Sequence, residues 1–268
     1  MTSVMTAMMG RMTEFTGQDL TAARFEDVHL NFARFRDVDL SSSRFQLVDL
    51  TGAVIRGAVM VNVEISGIVE NLRVNGVDVA PLVESELNRR YPERAAMDPA
   101  DADGFREAWD VVARLWQQTI ARARSLDPEL LYERVDGEWS LIETLRHLVF
   151  ATDAWVLRAV LGDPAPWDPL DLPHDEMPDE PGIPRDPIAR PSLDEVLALR
   201  ADRMATVRGL LADLTDDRLD EMTEPVTEPG YPEPESFSVR GCLRVILVEE
   251  WEHRLYAERD LDVLESRS

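Results

Sequence analysis

Large apolar residues recur every five positions at the start of the chain: Phe15, Leu20, Phe25, Leu30, Phe35, Leu40, Phe45, Leu50, Ile55, Met60 and Ile65. A small or β-branched residue stands two places ahead of most of them, among them Ala23, Val28, Ala33, Val38, Val48, Ala53, Ala58 and Val63. Neither a helix, with a period of about 3.6, nor a strand, with a period of 2, produces a repeat of five. A short fixed period is the mark of a solenoid. One large and one small residue turned inward per five residues describes a square β-helix. The period fails after Ile65. Asn75-Gly76, set between alternating residues, predicts a hairpin over 72–79. Pro81 then opens a short helix to about Arg90, which Tyr91-Pro92 ends.

From Asp98 onward the apolar spacing becomes helical. Asp98 as N-cap and Pro99 at the first position predict a helix carrying Phe105, Trp109, Val112, Leu115, Trp116 and Ile120, to about Leu126. Ser140 with Glu143 three residues on is a capping box, and its helix runs through His147 and Trp155 to Gly162. Ser192 with Glu195 is a second such box, opening a helix to about Leu214. The last helix follows Ser238 and runs from Val239 to about Leu264. Four such helices predict a four-helix bundle. The connections 163–191 and 215–237 are long, Pro-rich and acidic, and loops of that length are often functional or disordered. The expected fold class is therefore α+β in two domains. A tail at 1–12 precedes a β-helix at 13–67, a connector at 68–97 and an all-α domain at 98–264.

Composition narrows the function. The formal net charge of -24 opposes nucleic acid and anionic membrane as partners. All 28 basic residues are Arg, as in proteins from GC-rich bacterial genomes. The one cysteine, Cys242, excludes an internal disulfide and fits the cytoplasm; at its place on the last helix it reads as core packing. No apolar run approaches the roughly 18 residues of a membrane span. The Met-rich start, Met1 to Met12, makes a poor signal peptide.

The last helix carries the candidate chemistry. Cys242, Ile246, Glu249, His253, Tyr256 and Asp260 fall on one stripe at steps of three and four. A charged group on a buried face is costly unless paired or bound to a metal. Glu249 and His253, four apart, can reach one cation, and His147 of the second long helix can join them. Two imidazoles and a carboxylate leave coordination positions open, as catalytic sites do. The set admits Zn²⁺ first, and also Fe²⁺ or Ni²⁺. The other reading is of two satisfied interior histidines, with Glu249 paired to an arginine such as Arg146 or Arg158. Tyr256 and Asp260 continue the stripe and could touch substrate or orient a ligand. His174 lies in the first long connection, where it could close over the site. Glu250 and Glu252 lie off the stripe and are expected to be solvated, with Glu250 held as an alternative ligand.

Two stretches resemble known families. Thr21-Ala22-Ala23-Arg24-Phe25 and its successors resemble the pentapeptide-repeat family over about 13–67, which implies a right-handed quadrilateral β-helix of four pentapeptides per coil. Eleven repeats make fewer than three coils. Some members of that family bind DNA gyrase with longer helices, so a structural or docking role is expected here. Trp139-Ser140-x-x-Glu143-x-x-x-His147-Leu148, followed by Glu249-x-x-x-His253, resembles the DinB-like metal-binding four-helix bundles over about 98–264. Glu249 stands where many members have a His, and the variant is similar to an actinobacterial thiol-dependent branch. The resemblance implies His147, Glu249 and His253 as metal ligands. It also implies a transferase or isomerase that joins a low-molecular-weight thiol, such as mycothiol, to a small electrophile, and a homodimer as one assembly. A non-catalytic, metal-stabilised scaffold that docks a partner through the β-helix is the competing expectation.

Overall fold

The computed structural model describes residues 13–67, 69–175 and 177–267; the expected tail at 1–12 lies outside them. The chain divides into two compact units between Ile65 and Ser66.

In the first unit the five-residue period is written into the backbone. Positive φ angles fall at Gly17, Ala22, Asp27, Phe32, Asp37, Ser42, Leu47, Gly52, Gly57 and Asn62, each two residues after a large apolar residue. The amides of Ala23, Ala33, Ser43 and Ala53 donate to the carbonyls of Leu20, Leu30, Leu40 and Leu50. A left-handed residue at the third position of such a turn is the type II geometry. No strand forms among the described residues of this unit. The apolar ladder expected to face inward is exposed, from 43% at Leu20 to 65% at Phe35. The local turns follow from each pentapeptide alone. Burial of the ladder would require coils stacked as in a β-helix, and among the described residues the ladder is exposed.

The second unit begins with a two-residue hairpin, β1 (Arg73–Val74) and β2 (Val77–Asp78), closed by Asn75-Gly76. The helix α1 (Ala80–Arg90) follows, with Pro81 in its first turn. The first long helix, α2 (Ala102–Ala123), starts later than Asp98-Pro99 suggests. Its N-cap is Asp101, whose carboxylate accepts from the Gly104 amide. Asp216 holds the Ala102 amide at 2.8 Å, which adds a tertiary reason for this start. The helix α3 (Leu141–Thr152) begins at the Ser140–Glu143 capping box and continues as a π-helical segment, Asp153–Arg158. The helix α4 (Leu193–Ala212) begins at the Ser192–Glu195 box. A one-turn helix, α5 (Asp216–Leu219), capped by Thr215, was not expected from the sequence, and α6 (Val239–Glu265) is capped by Ser238.

The helix α6 packs against α2 and α3, and α4 packs against the same two. Every residue of α3 except Glu143 is buried, and α3 brings Leu145 and Leu148 to the shared core with Trp109 of α2 and Leu247 of α6. A helix apolar all round must be covered all round. The connection 163–191, without regular structure of its own, supplies part of that cover through buried Leu172 and Met177. Arg146, Arg158 and Arg203 tie it down by donating to its carbonyls at Leu170, Pro164 and Pro166, respectively. No helix among the described residues is long and apolar enough to cross a membrane.

Candidate metal centre

Because α3 and α6 are neighbours, the three predicted residues converge. One donor atom from each of His147, Glu249 and His253 lies within 4.8 Å of the others, and no other group of three or more His, Cys, Asp or Glu among the described residues meets that condition. His147 is buried, and Glu249 and His253 are half-buried. A divalent ion about 2.0–2.2 Å from each donor separates donors by about 4.4 Å at most, so small side-chain rotations close the site.

The hydrogen bonds fix which nitrogens are free. Nδ1 of His147 lies 3.0 Å from the Leu172 carbonyl. Nδ1 of His253 lies 3.0 Å from the Glu249 carbonyl and 3.2 Å from the Glu249 carboxylate. Those oxygens only accept, so each Nδ1 carries a proton, and in a neutral ring Nε2 is then the atom left for a cation. Nε2 of His147 then faces Glu249 Oε2 at 3.3 Å. Two acceptors at that distance repel unless a proton or a cation lies between them. The backbone carbonyl behind each ring is the orienting partner that metal-bound histidines commonly have.

Electrostatics support the same ligand forms. Burial, and then the charge of His147, pushes His253 down to about 4, which leaves it neutral at physiological pH. Burial opposes ionisation of Glu249. The hydrogen bond to His147 and the surrounding imidazoles of His147, His253 and His174 nevertheless hold it below its ordinary value. Neutral imidazole and ionised carboxylate are the forms that bind a cation. The arginines weighed as partners for Glu249 are occupied elsewhere, since Arg146 and Arg158 donate to loop carbonyls.

The remaining predicted residues divide. The exposed Tyr256 ring meets His253 edge-on at 6.0 Å. Asp260 is buried and engaged by Arg259 at 2.7 Å. The His174 ring meets Tyr231 at 5.8 Å, and its backbone carbonyl is held by Arg185. Glu250 corrects the expectation of solvation. It is 1% exposed and paired with Arg200 of α4 at 2.9 Å, because its side of α6 faces α4. Glu252 is also half-buried. Three contributors were assigned no role at the site from the sequence, although Trp139 opens the motif that carries the DinB resemblance. Trp139 packs on both imidazoles, with ring centroids 4.6 Å from His147 and 6.1 Å from His253. Its place just before the Ser140 cap was the available hint. The Leu172 carbonyl and Tyr231, stacked on Phe150 at 5.9 Å, come from the two long connections.

Residues 112–257, more than half of the chain, match the DinB superfamily. The chain belongs to the DinB superfamily. Domains of this superfamily bind a metal, and the His-Glu-His cluster lies within the matched residues. Residues 19–57 match pentapeptide repeats in eight copies. No curated protein and no solved structure matches the chain.

Proposed function

We propose that the helical unit is a DinB-type four-helix bundle acting as a metal-dependent thiol S-transferase. In this reading His147, Glu249 and His253 hold a divalent cation, Zn²⁺ first, and a low-molecular-weight thiol such as mycothiol is joined to a small electrophile. The observation that carries it is the convergence itself: one donor atom each from two imidazoles and a carboxylate, on two neighbouring helices, lies within 4.8 Å of the others. A complete structural zinc site has four protein ligands, whereas this cluster of three leaves room for water or substrate.

A free thiol is mostly protonated at neutral pH and its thiolate is the nucleophile, so a cation at this site supplies Lewis acidity that favours the ionised form. The chain's own residues orient and shield. Leu172 and the α6 backbone fix the two rings, Glu249 supplies negative charge that balances the cation, and Trp139 covers both imidazoles. Buried Cys242, its thiol pushed up to about 11 by burial, is not the nucleophile. The cytoplasm is the matching compartment, and the net charge of -24 disfavours nucleic acid as a partner. For the N-terminal repeat we propose a pentapeptide-type coil with a docking role. The exposed ladder from Phe15 to Ile65 favours docking, and with it a second reading in which the metal only stabilises a scaffold.

Metal analysis of the purified protein beside His147→Ala and Glu249→Ala tests the site. Near-stoichiometric metal in the parent, lost in both variants, is expected. A parent that cannot be loaded with zinc, nickel or iron overturns the proposal. Thiol consumption against a panel of electrophiles then separates transferase from scaffold.

A further inference from the structure

We infer that Arg146 is a positioning residue for His147, holding in place the turn whose Leu172 carbonyl receives the ring's Nδ1–H. Arg146 is wholly buried, and among the described residues no carboxylate pairs with it. A guanidinium without an ion-pair partner is costly inside a protein. Its donors go instead to three carbonyls of one connection: Leu170 at 2.8 Å, Asp186 at 2.7 Å and Ala189 at 3.3 Å. Arg146 therefore draws the first third and the end of that connection onto α3.

The segment it grips is stiff. The Asp171 amide donates to the Asp168 carbonyl at 2.9 Å, the Asp168 amide to the Asp171 carboxylate at 3.1 Å, and the Leu170 amide to the Asp168 carboxylate at 2.9 Å. Pro173 confines Leu172 to extended backbone. Leu170 and Leu172 thus move together. Consecutive residues of α3 hold the same turn, Arg146 through the carbonyl at 170 and His147 through the one at 172. When the turn shifts, Nδ1 loses its acceptor and the ring is free to reverse its tautomer or rotate, which takes Nε2 away from Glu249. Arg158 provides the control. It is equally buried and also donates to loop carbonyls, at Pro164, Val226 and Glu228, but makes no bond to 168–172.

The inference concerns the ring in the metal-free chain, so it stands or falls separately from the proposed transferase. The experiment is a long-range ¹H–¹⁵N correlation spectrum of histidine-labelled, metal-free full-length protein at pH 8, with His147 assigned by substitution. The parent and Arg158→Met are expected to show His147 with its proton on Nδ1. Arg146→Met is expected to show Nε2–H or a mixture, with zinc affinity lowered 10- to 100-fold where the parent binds zinc. Arg146→Lys, which keeps the charge and can reach one carbonyl, is expected to fall between them and carries the test should Arg146→Met not fold. A folded Arg146→Met or Arg146→Lys with the parent's tautomer overturns the inference. So does Arg158→Met with the same change as Arg146→Met.

Discussion

Glu249 and Glu250 are neighbours on α6, yet they belong to opposite kinds of polar cluster. Glu250 meets Arg200 at 2.9 Å, both all but fully buried, and the Arg200 guanidinium lies over Trp116 at 5.1 Å. Donor and acceptor match, and nothing further is required. Glu249 lies 3.3 Å from Nε2 of His147 and 3.2 Å from Nδ1 of His253, and the three groups together offer the ligand set of a divalent cation rather than a matched pair. A buried charge is therefore not evidence of a site by itself. What distinguishes the two clusters is whether the charge meets one opposite charge or lies among metal-ligating groups.

The strongest test of this contrast sets His253→Ala beside Glu250→Ala. His253→Ala is expected to abolish zinc retention through dialysis while leaving the circular-dichroism spectrum intact. Glu250→Ala strands a buried guanidinium and is expected to cost about 3–5 kcal/mol of stability, with zinc stoichiometry kept. At roughly 2–4 °C per kcal/mol for a unit of this size, thermal melting should fall by about 6–20 °C. A folded Glu250→Ala that loses the metal would erase the distinction.

A third cluster lies between these extremes. Arg203 holds Asp153 with two hydrogen bonds, 2.5 and 3.0 Å, and fully buried Asp171 lies nearby with one carboxylate oxygen lacking any partner. Burial, and then the charge of Asp153, pushes Asp171 up to about 9. Burial pushes Asp153 up to about 6 despite Arg203. A carboxyl raised on folding holds its proton in the native chain after the unfolded chain has released it near pH 4. Stability must then fall as pH rises from about 4 towards 9, by up to ~1.4 kcal/mol per unit for one proton. Asp171→Asn removes that proton from the balance. Urea unfolding at pH 5, 7 and 9 in chelator is expected to give a flatter profile for the variant, which should exceed the parent in stability above neutrality. Parallel profiles would show that Asp171 titrates alike in both states.

The legible parts of the molecule are those encoded over short spans. The pentapeptide register returned as left-handed residues at every fifth position, and both Ser–Glu capping boxes formed as spaced. His147, Glu249 and His253 could be singled out because polar residues on a buried helix face are conspicuous and their spacing matches a family motif, and the structure brings the three together. Glu250 was misjudged because one residue step, about 100° round the helix, is narrower than the uncertainty of a buried face. Arg200, its partner, is fifty positions away and carries no local mark. The Leu172 carbonyl was invisible for a simpler reason, that every residue has one. Arg146 and Arg158 were weighed as carboxylate partners, whereas irregular connections present carbonyls that only tertiary structure can supply with donors.

The smallest expected effect concerns the end of the sequence stripe. Tyr256 is 38% exposed, sets its ring edge-on to that of His253 with centroids 6.0 Å apart, and has Arg259 over its face at 5.5 Å. Tyr256→Phe keeps the ring and removes only the hydroxyl. Zinc affinity measured by competition with a chelator should change by less than about threefold, or ~0.6 kcal/mol. Asp260→Asn should behave alike, because Arg259 already engages that carboxylate. A tenfold loss in Tyr256→Phe would mean that the hydroxyl reaches the cation or a ligand once the site is loaded. The candidate site would then extend one turn further along α6 than Glu249 and His253 define, and the divide between paired and metal-ligating clusters would have to be drawn at the end of the helix rather than between adjacent glutamates.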